Sequence, residues 1–84
     1  MYSIEWKRKA VKQLRKIDRT QQPQIITDVG GLVNWPNCPN VKHLTNHRYE
    51  YRLRVGRYRV FFNVHDIIEV IHIEEVKKRD GRTY

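Results

Sequence analysis

One cysteine, few acidic residues and no long apolar run are what the chain has little of, and each shortage excludes something. Cys38 alone cannot close an internal disulfide, and between Asn37 and Pro39 it reads as an incidental thiol in a loop. No apolar stretch approaches the roughly 20 residues that span a bilayer, so no membrane partner is expected. Met1 leads straight into Tyr2, Ser3, Ile4 and Glu5, without a basic start and an apolar stretch behind it, so a cytoplasmic protein is expected. His43, His47 and His65 make no metal-ligand spacing with one another or with Cys38. Neither a metal nor another cofactor is therefore expected. No repeat, low-complexity tract or linker divides the 84 residues, which suits one domain over 1–84 with a modest core. Five Tyr, two Trp and two Phe supply much of the area such a core can bury.

The shortage of acid has the largest consequence. Nine Asp and Glu face seventeen Lys and Arg, a formal charge of +8. An excess of this size favours a polyanion, either nucleic acid or an acidic protein. The bland alternative is a merely soluble basic surface, and the placement of the charges decides between them.

Residues 2–6 alternate weakly and predict a short opening strand. Residues 7–18 predict a helix, with Ala10, Val11, Leu14 and Ile17 on one stripe and Lys7, Arg8, Lys9, Lys12, Arg15 and Lys16 on its solvated remainder. After a polar break, Pro23 suits the first turn of a second helix carrying Ile25, Ile26, Val29, Leu32 and Val33. Gly30 and Gly31 oppose it by about 1 kcal/mol each, and Trp35 before Pro36 closes it. Residues 34–46 read as a loop. The last third holds three strand patterns: 49–54 (YEYRLR), 57–64 (RYRVFFNV) and 67–73, joined by tight turns at Val55 and Gly56 and at His65 and Asp66. Helices grouped ahead of a meander give an α+β fold: a short N-terminal strand, two helices packed on a twisted antiparallel sheet, and a basic C-terminal tail.

With Val55 and Gly56 in the turn, Arg54 pairs with Arg57, Arg52 with Arg59 and Glu50 with Phe61. Alternation then gathers Arg52, Arg54, Arg57 and Arg59 on one face and leaves Tyr49, Tyr51, Leu53, Tyr58, Val60 and Phe62 to pack on the helices. Like charges opposite one another destabilise a sheet by a few tenths to about 1 kcal/mol per pair. Four guanidinium groups gathered this way point to an anion, and the planar fork of arginine suits phosphate. Arginines splayed into water, or guarding a sheet edge, are the structural alternative. A turn at His65 and Asp66 would place His72 opposite Arg59, where an imidazole can trade protons near neutral pH. The same register buries Glu69, and a one-residue change in the turn would send His72 into the core. The end of the chain (EEVKKRDGRTY) adds Lys77, Lys78, Arg79, Arg82 and Tyr84. Cations with one aromatic suit single-stranded RNA, while a frayed basic tail explains them equally well.

At these residues the sequence resembles the RelE/ParE superfamily of bacterial toxin–antitoxin toxins, nearer the RelE side. The resemblance covers nearly the whole chain. It is most specific in Leu44, in residues 49–62 (YEYRLRVGRYRVFF), and in Lys77, Lys78 and Arg79 followed by Tyr84. It implies a RelE-like fold and a metal-independent mRNA-cleaving ribonuclease that needs help from the ribosome. By that likeness Arg59 stabilises the transition state and Arg52 does the same or orients the phosphate. Arg79, or Lys78 if tail lengths vary, serves the leaving oxygen, and Tyr84 stacks on a base. Arg54, Arg57, Lys77, Lys78 and Arg82 would hold the RNA backbone. Glu50 stands where several RelE-type toxins have a lysine proposed as general base, and other members offer a glutamate. The base is thus Glu50, His72 or a more distant basic group. The partners implied are mRNA, the ribosome and an acidic, partly disordered antitoxin anchored at apolar positions such as Phe61 and Val70. The toxin–antitoxin pair would reach operator DNA through the antitoxin. A ParE-like gyrase inhibitor and a binding module without catalysis are the competing classes.

Overall fold

Period-two patterning turns the last third of the chain into strands in the structure, a computed structural model whose described residues are 1–79. β1 (Ser3–Trp6) is followed by α1 (Arg8–Arg15), α2 (Gln22–Gly30) and a 3-10 turn over Gly31–Asn34. β2 (Val41–His43), β3 (Tyr51–Val55), β4 (Tyr58–His65) and β5 (Val70–Lys78) come next. They form one five-stranded sheet in the order β1-β5-β4-β3-β2. The fold is α+β as expected, with one correction. The sheet is mixed, because β1 runs parallel to β5. No helix among the described residues is long and apolar enough to cross a membrane.

One face of the sheet meets the helices. Ala10 from α1, Ile25 and Val29 from α2, and Leu32 from the 3-10 turn pack against Leu53, Val55, Tyr58, Val60, Phe62, Ile71, Ile73 and Val76. Phe62 is fully buried there, and truncating such a ring typically removes about 3–5 kcal/mol. Trp35 seals the layer edge-on to both Tyr51 and Phe62.

Local chemistry moved several boundaries. α1 ends at Arg15, three residues short of the expected end, where Lys16 N–H bonds Gln13 instead of continuing the helical ladder. The Asp18 carboxylate then accepts from both the backbone and hydroxyl of Thr20, turning the chain. The glycines do not break α2; the helix runs through Gly30 and tightens into the 3-10 turn. The expected loop 34–46 contains β2, which Asn40 enters at φ 63°, a conformation asparagine tolerates. The β4–β5 connection spans Asp66 to Glu69, longer than the expected two-residue turn, with Glu69 at φ 52°. Ile67 and Ile68 therefore stand exposed in the turn, not in β5. Glu69, far from being buried, pairs with the amino terminus of Met1 at 3.3 Å.

Candidate nucleic-acid interface

The register of the β3–β4 hairpin decides what gathers on the face away from the helices. The central residues of its turn are Gly56 and Arg57, so Arg54 faces Arg59 and Arg52 faces Phe61. The expected pairing was off by two residues. Gly56 takes φ +55°, which a two-residue hairpin turn requires and which a β-branched valine resists. That preference was readable in the Val55, Gly56, Arg57 run. A shift of two preserves face membership, so Arg52, Arg54 and Arg59 share the open face, while Arg57 moves to the tip of the turn.

Neighbouring strands extend the cluster. Lys77 on β5 faces Arg59, and Lys42 on β2 faces Arg52. One row therefore reads Arg54, Arg59, Lys77 and the next Lys42, Arg52, Phe61, Glu75. Lys42 was hidden within the expected loop. Burial of the half-exposed Arg52 guanidinium lowers its pKa, and the positive charges of Arg59, Arg54 and Arg79 lower it further. None of these four arginines has an ion-pair partner among the described residues. Arg79 N–H donates to the Arg57 carbonyl, which holds the residue after β5 at the hairpin tip. Much of the expected tail is therefore strand. Lys78 pairs with the buried Tyr58, so it shares the helical face and borders a cleft with Asp18, Gln21 and Arg57. Arg82 and Tyr84 lie outside the described residues.

One carboxylate sits inside this cationic field. Glu75, 5% exposed, meets Lys9 Nζ at 3.2 Å and Lys77 Nζ at 3.7 Å. Burial pushes its pKa up, but the Lys9 hydrogen bond, the Lys77 charge and the Gln13 hydrogen bond outweigh it and hold the group below its ordinary value. Gln13 also accepts the Val76 N–H at 2.6 Å, so α1 covers the edge of β5 beyond the end of β1. Nothing in the sequence pattern singled out Glu75, because its partners Lys9 and Gln13 come from a helix at least 62 residues away.

His72 and Glu50 are placed differently from expectation. Glu74 is an extra residue in β5, a bulge that shifts the pairing between Phe61 and Phe62. With the longer β4–β5 turn, this puts His72 opposite Asn63, not Arg59. It keeps the arginine face but lies four residues along β4 from Arg59, roughly 13 Å. Its Nε2 is 3.4 Å from the Glu5 carboxylate. Glu50 precedes β3, where its backbone N–H donates to the Asn63 amide oxygen and its carboxylate accepts the Val64 N–H, each at 2.8 Å. It stands two residues from Arg52, about 7 Å along the chain.

Two aromatic assignments also change. Tyr49 lies before β3 begins, so alternation does not hold it to the helical face; its ring rests 5.7 Å from Phe61. Burial raises the Tyr49 pKa, and the charge and hydrogen bond of Glu75 add to the shift against opposition from Arg48 and Lys9. Phe61 is buried, at 7% exposure, and Val70 is half-buried, so neither is the open anchor expected for a partner. The exposed large apolar residues of the folded body include Ile26, Ile67 and Ile68.

A family model described as the ParE toxin of the type II toxin–antitoxin system parDE matches residues 4–80. The chain belongs to that toxin family, within the RelE/ParE superfamily. Solved structures agree with this toxin assignment. Over 98% of both chains, at 27% identity and a TM-score of 0.79, the protein is similar to archaeal RelE in its complex with RelB from Pyrococcus horikoshii OT3. Isolated RelE from E. coli is 20% identical over 98% of this chain and 88% of that one, with a TM-score of 0.81. The RelBE2 complex from Mycobacterium tuberculosis gives 19%, 93%, 98% and 0.78 for the same measures. These last two likenesses concern the fold alone. Comparison with curated protein sequences gives no match.

Proposed function

We propose that this RelE/ParE-type toxin is a metal-independent endoribonuclease that cleaves mRNA on the ribosome. The observation that carries the proposal is the set Arg52, Arg54 and Arg59 on one open face, with Arg79 in electrostatic reach and no acidic partner among the described residues. A phosphate among them would relieve the repulsion between Arg54 and Arg59 and accept paired hydrogen bonds from planar guanidinium groups.

The chemistry these residues suit uses the RNA's own nucleophile. The ribose 2′ oxygen bonds to the adjacent phosphorus, the bond to the 5′ oxygen breaks, and a 2′,3′-cyclic phosphate and a 5′-hydroxyl result. Arg59 and Arg52 hold the negative charge that grows on the phosphoryl oxygens, which is usually the largest contribution. Glu50 takes the 2′ proton, standing two residues from Arg52 and having one carboxylate oxygen left free of Val64. Arg79 donates a hydrogen bond to the departing 5′ oxygen, which takes a proton from water while Glu50 returns its proton to solvent, and Tyr84 stacks on a base. Ribosomal RNA would position the codon and so supply much of the entropy advantage. A cytoplasmic site of action and an acidic, partly disordered antitoxin go with this function, the antitoxin also bringing the pair to operator DNA. RelE-type relatives are seen bound to RelB antitoxins, and the +8 charge favours an acidic wrap.

Incubating the purified protein with programmed ribosomes and mapping the new 5′ ends tests this. Cleavage leaving cyclic phosphates and 5′-hydroxyl ends is expected; intact mRNA at every protein concentration rejects it. Glu50→Ala and His72→Ala assayed side by side locate the base, and only the first should lose cleavage. A second function has one observation in its favour, since the matching family model describes ParE toxins. A gyrase-inhibiting toxin of that kind would cause gyrase-dependent DNA damage on expression and leave mRNA whole.

A further inference from the structure

The segment between β2 and β3 carries an arrangement that the cleavage reaction leaves unused. The His47 ring lies on Phe61 with centroids 5.2 Å apart and planes at 14°. Tyr49 leans on the same phenyl ring at 5.7 Å and 33°. Phe61 is buried beneath them but stands outside the main core cluster. It belongs to the arginine face, directly opposite Arg52 and two residues from Arg59. His47, by contrast, is exposed. Its ring stacks on Phe61 and has the tilted Tyr49 ring at 5.9 Å, and the residue remains solvent-exposed.

The pose is held from several directions. Tyr49 N–H donates to His47 Nδ1 at 3.0 Å, which orients the imidazole and leaves Nε2 as the N–H nitrogen of the neutral ring. The Arg48 guanidinium lies 5.8 Å over the Tyr49 ring. Tying down a loop needs only apolar contact. A flat, solvent-exposed ring held parallel to a second ring, beside arginines with no ion-pair partner among the described residues, matches how single-stranded nucleic acid is gripped: cations track the phosphates and aromatic rings take the bases.

The geometry points to His47, backed by Phe61 and Tyr49, as a stacking platform for a nucleobase of single-stranded RNA whose phosphate lies between Arg52 and Arg59. It rests on the ribonuclease function proposed above and adds a base subsite to it. Same-face residues on one strand are about 7 Å apart, so the base beside a phosphate at Arg59 is within reach of the ring over Phe61. Every base has a flat face, so the platform tolerates any sequence.

Two uncleavable probes of equal charge separate the platform from the arginines: a 2′-O-methyl hexanucleotide and an abasic hexamer with the same phosphodiester backbone. The wild-type protein should prefer the base-bearing probe by about five- to tenfold, the low end of base–aromatic stacking. In a Tyr84→Ala background, which removes the other stacking ring, the preference should persist. Adding His47→Ala should abolish it and His47→Phe restore it, while Arg59→Ala weakens both probes alike. A 2-aminopurine in the first probe should be quenched by Tyr84→Ala and not once His47→Ala is added. Equal affinity of Tyr84→Ala for the two probes, a preference that survives His47→Ala in that background, or failure of His47→Phe to restore it overturns the platform while leaving the arginine site intact. Wild-type binding to neither probe overturns the platform as a site for free single-stranded RNA, and the ribosome cleavage assay then decides the ribonuclease function separately.

Discussion

Toward the hairpin tip, the open sheet face sets Arg54 against Arg59 and Arg59 against Lys77, with Arg52 and Arg79 close by. Toward the opposite end, the same face carries Glu50, Asn63, His72 and Glu5, and each is engaged locally. Glu50 takes the Val64 N–H, the Asn63 amide accepts from Glu50 N–H and donates to Glu74, and His72 meets Glu5. Both ends are built on the same strands, so strand pairing does not explain the difference. Partner choice does. The polar end is largely paired within itself, while the cationic end leaves guanidinium groups without an acidic partner among the described residues, so a docked anion would stabilise it.

The largest expected effect breaks the comparison if it fails. Arg59→Ala should lower ribosome-dependent cleavage about 100- to 1,000-fold, as loss of one transition-state donor does. It should leave the fold intact, because Arg59 is exposed and lies on the sheet face away from the helices. Cleavage at the wild-type rate by a folded Arg59→Ala protein would deny the cationic end its role.

Glu75 sharpens the comparison, since among the described residues it is the acid locked into the cationic end. Its folded pKa is held below the ordinary value, so its stabilisation is present above the unfolded glutamate value and fades as pH falls through the folded one. Glu75→Gln should therefore destabilise the protein at neutral pH by about 1–2 kcal/mol, the scale of a charge-assisted hydrogen bond. The wild-type and variant melting curves should converge below about pH 4.3. A gap in melting temperature that stays constant down to pH 3 would contradict the pairing with Lys9 and Lys77.

How legible this face was depends on the kind of information each residue carries. Arg52, Arg54 and Arg59 were found together because face membership follows parity, and a register error of two leaves parity unchanged. Arg57 was misplaced by that same error. His72 was assigned to the right face and the wrong place: turn length and the Glu74 bulge move a register without leaving a periodic mark. Lys42 escaped because a three-residue strand is too short to alternate visibly, and Tyr49 because alternation stops where β3 begins. Glu75, Lys9 and Gln13 meet only through the docking of α1 on β5, which no local pattern encodes. The fold class needed only the order of the elements, and that order was plain.

The smallest effect is also the most direct measure of unanswered charge. Arg54 is exposed and faces Arg59, so removing it should relieve repulsion worth a few tenths to about 1 kcal/mol. Threonine is the replacement to use, because alanine would lose strand propensity and mask the gain. For a domain of this size, Arg54→Thr should raise the melting temperature by roughly 2–6 °C at low salt. The gain should shrink toward zero near 1 M salt, where the screening length falls to about 3 Å. The same variant should bind RNA more weakly, with a salt slope reduced by about one. Stability and binding moving in opposite directions is what a site built to hold an anion requires. A side chain that merely splays into water would change neither, and a variant with unaltered melting at low salt would place Arg54 in that class.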